Sequence, residues 1–438
     1  MSGNDLMIWD RSSETQDRDD LAQVQLERLQ ASLFRAFRNV SFYRKRFDDM
    51  HVAPEDIQTL VDLRHLPFTT IDDLRQGYPY DLLAVPLREV VRLHHASTTS
   101  GRPTVCAFTR NDLRHWHDRV ARLLAATGIT HDDVVQFIYS AESSAGNLGF
   151  HGGAERIGAS VIPAAFGNVP QQIAIMQDFR STALVGAASA TAHLAQTAGE
   201  MGLDLRRLSA RVAVLGGEPW PESLRQTLHT VLGVTAFDHY SLSEFGGPGI
   251  AGECVAHNGL HVVEDHFLAE VVDPESGAPV ADGEEGELVL TSLTREALPL
   301  IRFRTRDLTR LDTRPCACGR TLVRMARVSR RTDNLLFVRG RTLPPALVGA
   351  ILAEIEGGNP RYLIVVERKG GLDDVEILVE LVPGQAMDSP GKILALEQRI
   401  RERLHEQTDL SPHIRLVESH TLDTLAADVA TRVIDRRE

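Results

Sequence analysis

Lysine is nearly absent from this chain: of its 47 Lys+Arg residues, only Lys45, Lys369 and Lys392 are lysine. Arginine must therefore supply almost every positive charge, and its planar, permanently charged fork suits carboxylate and phosphate partners. An excess of positive charge is lacking as well. Asp+Glu number 60, leaving a formal net charge of -13, and that field opposes nucleic acid and acidic membrane surfaces, so neither is expected as a partner. No stretch of about 18 consecutive apolar residues occurs, which excludes a conventional membrane-spanning helix. The opening MSGNDLMIWDRSSETQDRDD lacks the basic-then-apolar layout of a secretion signal, so a cytoplasmic protein is expected. Four cysteines, Cys106, Cys254, Cys316 and Cys318, are too few for a disulfide scaffold, and Cys316-Ala-Cys318 is too tight a pair to staple a loop; metal ligation or burial is the expectation.

What remains is an ordinary globular composition, 43% hydrophobic and 24% charged over 438 residues, long enough for two or three domains. From Asp20 to Phe47 apolar residues recur at three- and four-residue spacing, which predicts an amphipathic helix packed on the larger domain. Between about Leu93 and Arg310 short apolar runs alternate with helical stretches: DDVVQFIYS, ASVIPA, TALVGA, ARVAVLGGE and GVTAFDHYS. That pattern predicts an α/β parallel sheet with ligands at the carboxyl ends of its strands. HFLAEVVDPESGAPVADGEEGELVLTSL follows as two strands around an acidic turn. After Arg331 the order becomes helix, strand, strand, helix, strand, a compact α+β unit of ferredoxin-like character. The expected domains are residues 1–330 and 331–438.

Several stretches carry chemistry. His95-Ala-Ser-Thr-Thr-Ser-Gly-Arg-Pro-Thr104 is rich in hydroxyls, and with backbone N–H groups and Arg102 it suits phosphate oxygens. Leu215-Gly-Gly-Glu-Pro-Trp220 and Asp238-His-Tyr-Ser-Leu-Ser-Glu244 each end an apolar strand. There a glycine allows close backbone approach, a tyrosine can stack on a purine, and a carboxylate can hold a divalent cation against phosphates. Arg304-Thr-Arg-Asp307 offers a carboxylate able to take both hydroxyls of a ribose. Arg331-Thr-Asp333 stands where the composition changes, a natural position for a hinge.

In this order, and with WDRSSETQDRDDL, NVSFYRKRF, LGGEPWP, DHYSLSEFGGPGIAGEC, GLHVVEDHF, GEEGELVLTSLTREALPLIRFRTRDLT and RVIDRR, the chain resembles the adenylate-forming superfamily, most closely its phenylacetate-coenzyme A ligase branch. The resemblance implies a large multi-subdomain N-terminal domain of the acyl-CoA synthetase-like fold and a small mobile C-terminal domain. It also implies two half-reactions: a carboxylate attacks the α-phosphorus of Mg-ATP to give an acyl-adenylate and pyrophosphate, and a thiol, that of coenzyme A, then displaces AMP. By the same resemblance Ser97, Thr99, Ser100, Gly101 and Thr104 form the phosphate loop, and Gly217, Glu218 and Pro219, with Ser241, line the adenine pocket. Tyr240 stacks on the base, Glu244 serves magnesium, Asp307 holds the ribose, Arg331 contacts nucleotide oxygens and Asp333 is the pivot. The acid would lie against Tyr139, Ser144, Gly146 and Gly216. A homodimer also fits the family.

The chain departs from that pattern in two places. Aligned back from Gly101-Arg-Pro-Thr104, the family's phosphate-loop glycine falls on Thr98 and its usual lysine on Arg102. Near the C-terminus the family's Gly-Lys-Ala becomes Asp428-Val-Ala430, so the lysine that bridges carboxylate and α-phosphate is Val429. Losing a positioned cation from such a transition state costs several kcal/mol, roughly 10²–10³ in rate. Either Arg432 substitutes, adenylation is slow, or the domain serves another step.

In the acid pocket, Ser144 stands where a phenylalanine would press on the substrate ring, which suggests a substituted aryl acid carrying hydroxyl or amino groups. Cys254, Cys316 and Cys318 with His261, or less well His257, would make a closed tetrahedral zinc site of structural kind. The expected activity is therefore ATP-dependent activation of an aromatic acid and transfer to coenzyme A. The alternatives are another acceptor (an amine or carrier thiol), another acid, or a member with weak or no adenylation.

Overall fold

The computed structural model describes residues 7–96, 102–138, 144–163, 168–328, 330–356, 360–369, 372–381, 390–418, 421–425 and 432–437. They group into two compact units divided between Thr332 and Asp333.

In the larger unit, strands Ser160–Ile162, Val134–Ile138, Ala183–Ala187, Val212–Gly216 and Thr235–Leu242 lie side by side and parallel, at the five runs that the sequence pattern marks. Side chains on both faces are buried, Val185 and Val214 on one, Leu184 and Leu215 on the other, the pattern of a sheet covered on both sides. Four further strands continue it antiparallel: Gly247–Glu253, Leu260–Val262, Arg324–Met325 and Leu311–Asp312.

One face of the parallel run is covered by helices Arg110–Ala126 and Ser144–Ile157. The first starts with a reciprocal cap, in which Asp112 N–H donates to Thr109 Oγ1 and Thr109 N–H to Asp112 Oδ2, satisfying two backbone donors that a helix start leaves open. Trp116, Val120, Leu124 and Phe150 then pack on Val135, Phe137, Val185, Val214 and Phe237. Strand side chains alternate between faces. The same face therefore continues toward the carboxyl ends through Ala187, Gly216 and His239.

A second, antiparallel sheet holds Phe267–Val272, Gly286–Ser292, Phe303–Thr309 and Arg330–Arg331. Its first two strands are the expected hairpin.

The N-terminal helix differs from expectation. The pattern over Asp20–Phe47 predicts one helix, but the chain forms two, Arg18–Asn39 and Ser41–Asp49, with Val40 extended between them. Asn39 and β-branched Val40 are weak helix formers. Each also has a tertiary use, since Asn39 Nδ2 donates to the Ala84 carbonyl and Val40 is fully buried. The first helix docks on the larger unit as expected, burying Leu21, Leu29, Leu33 and Ala36, while Ser32 Oγ donates to the Ser292 carbonyl at 3.0 Å.

The smaller unit opens on a strand pair that the expected order lacks, Leu336–Val338 with Arg341–Leu343, and then follows the expected helix–strand–strand–helix–strand order. Its sheet runs His413–Val417, Leu372–Glu380, Tyr362–Lys369, Val433–Arg436, and helices Pro345–Glu356 and Pro390–Thr408 bury Val348, Ile351, Leu352, Ile400 and Leu404 against Ile364, Val366, Ile377 and Val379. The last strand, parallel to Tyr362–Lys369, is an addition to the expected order. Among the described residues no helix is long and apolar enough to cross a membrane.

Candidate active site

Tyr240 ends a strand of the parallel sheet and Asp307 lies on the antiparallel one, 67 residues away. The Tyr240 hydroxyl donates to Asp307 Oδ2, and Arg331 Nη1 donates to Asp307 Oδ1 at 2.6 Å. Strand pairing sets the second contact, because Asp307 and Arg331 are register partners. Burial, reinforced by the Asp307 charge, pushes the Tyr240 phenol far above its ordinary value. The phenol thus stays protonated and donates to a charged acceptor, a strong form of hydrogen bond. Three residues singled out separately in the sequence therefore meet at one carboxylate.

Glu244 sits on the short turn that follows the Tyr240 strand, partly exposed, with Oε2 accepting from Ser243 Oγ at 3.2 Å. That turn is anchored by a residue which sequence reasoning missed. Arg295, fully buried, donates to the Phe245 carbonyl at 2.9 Å, the Ala107 carbonyl at 2.8 Å and Cys106 Sγ at 3.1 Å. Cys106 Sγ in turn lies 3.6 Å from the Glu244 carbonyl. The guanidinium ties the Glu244 turn to strand Thr104–Phe108, which carries Thr104 and leaves the hydroxyl-rich stretch. Nothing in LTREAL distinguishes this arginine from the others; its partners are set by tertiary contact. Arg295→Met orphans two buried carbonyls, at about 1–3 kcal/mol each, so a denaturant titration is expected to show a loss of about 3 kcal/mol in stability.

Gly216 and Gly217 carry the strand end of Leu-Gly-Gly-Glu. A Cβ on Gly216 would lie 2.5 Å from His239 Nε2, and Gly217 has φ +79° with open space around it, so both positions require glycine. Glu218 Oε1 accepts from the Ser189 N–H at 2.6 Å, at the start of helix Ala188–Glu200, where the helix dipole favours a carboxylate. Pro219 follows, half-buried, and Ser241 is half-buried beside Tyr240. Asp238, largely but not fully buried, lies between Trp220 Nε1 (3.1 Å) and Arg327 Nε (2.6 Å). Burial pushes its carboxyl up to about 6 although Arg327 opposes the shift. The Trp220 ring is flanked by the guanidinium groups of Arg327 at 4.0 Å and Arg225 at 4.9 Å.

Thr104 is buried on its strand, whereas Ser97, Thr98, Thr99, Ser100 and Gly101 lie outside the described residues, as do Tyr139 and Val429. Ser144 and Gly146 open helix Ser144–Ile157. Asp333, exposed, begins the smaller unit, and its Oδ1 accepts from the Leu335 N–H at 3.2 Å. The Arg432 guanidinium stands over the Tyr362 ring at 4.9 Å.

The third cluster is metal-like. Ligand atoms of Cys254, His261, Cys316 and Cys318 all lie within 4.8 Å of one another, and all four residues are buried. Pairing of Arg324–Met325 with Leu260–Val262 brings the Cys316–Cys318 loop to the end of the Cys254 strand. His261 Nδ1 is 3.2 Å from the Leu322 carbonyl, leaving Nε2 directed at Cys318 Sγ, 3.4 Å away. A backbone carbonyl on the second imidazole nitrogen is how metal-binding histidines are commonly held. Hydrogen bonding from Cys254 pulls the Cys318 thiol well below its ordinary value and pushes Cys254 up in exchange. His257 is drawn elsewhere, stacked on Phe237 at 4.6 Å and within 3.5 Å of Glu253.

Comparison with known proteins bears on this arrangement. Residues 153–294 match the family profile described as AMP-binding enzyme, and residues 340–437 match that of the AMP-binding enzyme C-terminal domain. Over 99% of its length the chain is 38% identical to a phenylacetate-coenzyme A ligase of Thermus thermophilus, of which it covers 100%. It is 39% identical to the phenylacetate-coenzyme A ligase of Escherichia coli K12, over 97% of both. Among solved structures, a 2-hydroxyisobutyryl-CoA ligase in complex with its acyl-AMP and CoA is similar with a TM-score of 0.90, at 26% identity over 99% of this chain and 93% of that one.

Proposed function

The chain belongs to the phenylacetate-coenzyme A ligase family of AMP-binding enzymes and is an acid-coenzyme A ligase, and from that premise we propose how its own residues carry out the reaction on an aromatic acid. In the first half-reaction a carboxylate oxygen attacks the α-phosphorus of ATP, the bond from that phosphorus to the α,β-bridging oxygen breaks, and acyl-AMP and pyrophosphate form, the pyrophosphate leaving with the electron pair. In the second the thiolate of coenzyme A attacks the acyl carbon and AMP leaves with the electron pair of the broken acyl–phosphate anhydride bond.

The observation that carries this reading is the meeting of Tyr240, Asp307 and Arg331. Asp307 takes the ribose hydroxyls, Tyr240 stacks its ring on adenine while its hydroxyl holds Asp307, and Arg331 lends charge to nucleotide oxygens beside it. Gly217, Glu218, Pro219 and Ser241 line the base pocket. Ser97, Thr99, Ser100, Gly101 and Thr104 form the phosphate loop, and Asp333 is the pivot between half-reactions. Glu244 would ligate magnesium, which when bound neutralises charge on the phosphates. Such chemistry depends chiefly on positioning and charge neutralisation. Tyr139, Ser144, Gly146 and Gly216 face the acid.

Cys254, His261, Cys316 and Cys318 would hold zinc. Four protein donors leave no open position, so the metal would be structural. The activity is expected in the cytoplasm, where ATP and coenzyme A are available.

Val429 favours a second reading, in which adenylation is weak for want of the lysine. Pyrophosphate–ATP exchange across a panel of aryl acids, with Val429→Lys in parallel, separates the two. Acid-dependent exchange in the wild type is expected, with a gain of about 10²-fold in the lysine variant. Exchange in the variant alone means a degenerate enzyme, and none in either overturns the adenylation reading.

A further inference from the structure

His239 is 5% exposed, and neither of its ring nitrogens has a hydrogen-bond partner among the described residues. A buried polar group left so loses about 1–3 kcal/mol, and one found in a native fold asks for an explanation. Its surroundings are apolar: the Phe150 ring stands edge-on at 5.0 Å, and Gly216 leaves the room that the imidazole occupies. Burial pushes the imidazole down to about 4. It is therefore neutral at pH 7, with one nitrogen able to donate and the other to accept.

The place is informative. His239 and Tyr240 are adjacent on one strand and so face opposite sides of the sheet. Tyr240 turns to Asp307, and His239 turns to the face covered by helix Ser144–Ile157, level with Gly216 at the strands' carboxyl ends. Ligands of open α/β sheets bind at that end. Gly216 and the first turn of that helix are the positions assigned above to the acid.

We propose that His239 is a specificity-determining residue, and that the acid this enzyme activates carries a ring hydroxyl which hydrogen-bonds to the imidazole. The proposal rests on the acid-ligase reading and deepens it by naming the substrate class. An unsubstituted aryl ring leaves both nitrogens orphaned. A phenolic hydroxyl satisfies one, and sites built to bond a hydroxyl reject analogues lacking it more strongly than apolar pockets reject an added group.

The test compares phenylacetate and benzoate with their 3- and 4-hydroxy derivatives, on wild-type, His239→Leu and His239→Asn full-length protein. Two readouts are taken: kcat/KM for thioester formation and equilibrium binding by calorimetry. Wild type is expected to favour the best hydroxylated acid over its parent by about tenfold or more in both. His239→Leu should abolish that preference by weakening the hydroxylated acid while leaving the parent unchanged or improved, and His239→Asn should restore part of it. An amino-substituted acid serves as a third arm, expected to rank between the two. Equal binding of hydroxylated and plain acids by wild type, or an equal loss for both in His239→Leu, overturns the proposal. A binding preference without thioester formation contradicts the ligase reading and leaves His239's role standing.

Discussion

If Asp307 takes the ribose hydroxyls as proposed, Asp307→Ala is expected to lower kcat/KM for ATP by about 10²–10⁴-fold. Two hydrogen bonds from ribose hydroxyls to a charged carboxylate contribute about 1.5–3 kcal/mol each, and about 1.4 kcal/mol corresponds to tenfold in rate. The replacement does further damage. Tyr240 loses the acceptor for its buried hydroxyl, and Arg331 loses the carboxylate that holds it at 2.6 Å. Asp307→Asn keeps an oxygen for Tyr240 but no charge for Arg331, so it should fall between wild type and Ala. KM for coenzyme A should move little in either variant, because the proposed role sets the carboxylate against the ribose of ATP. A loss shared equally by all three substrates would mean that Asp307 only supports the fold.

Cys318→Ser is expected to release zinc and to lower the melting temperature by ten degrees or more. Zinc closed by three thiolates and an imidazole contributes folding free energy outright, about 10–16 kcal/mol in small zinc-finger peptides, and the share retained in a large domain is still a sizeable part of total stability. The site is also a structural junction. Arg320, next but one to Cys318, donates through Nε to buried Glu14 at 2.6 Å, while Thr321 Oγ1 donates to the Gln16 carbonyl at 2.7 Å. Loss of the metal should therefore also expose the segment around Glu14 to protease. Metal analysis of protein purified without chelator should find one zinc per chain, absent from Cys318→Ser. No zinc in the wild type, with an unchanged melting curve in the variant, would remove the metal from the account.

Much of the architecture is legible in the sequence because its signals are local. VAVLGG and TALVGA read as buried strands from their own composition, and they pair in the parallel sheet. Tyr240, Asp307 and Arg331, which meet in the structure, are each picked out in the sequence by a short recognisable stretch. The helix over Asp20–Phe47 was overdrawn because periodicity continues through Val40, where the chain turns to bury that side chain and bond Asn39 to Ala84. Arg295 and His239 were missed for a different reason. Arg295 reaches partners 50 and 188 residues away, which no pattern encodes. His239 did leave a trace: alternation along Asp238-His-Tyr240 sets it opposite Tyr240, and a polar side chain on an otherwise apolar face would have drawn notice.

The scarcity of lysine bears on the chemistry more than on the fold. Arginines fill ion pairs, as at Asp307, Asp238 and Glu14, while the lysine that the sequence resemblance leads one to expect before Arg-Val-Ile-Asp is Val429 here. The most direct test of the central claim is a single-turnover reaction with α-labelled ATP and a hydroxylated aryl acid, first without coenzyme A and then with it added. The account predicts enzyme-bound acyl-AMP and pyrophosphate in the first stage, then AMP and thioester in equal amounts. Formation of ADP and phosphate, or no acid-dependent consumption of ATP, would contradict it.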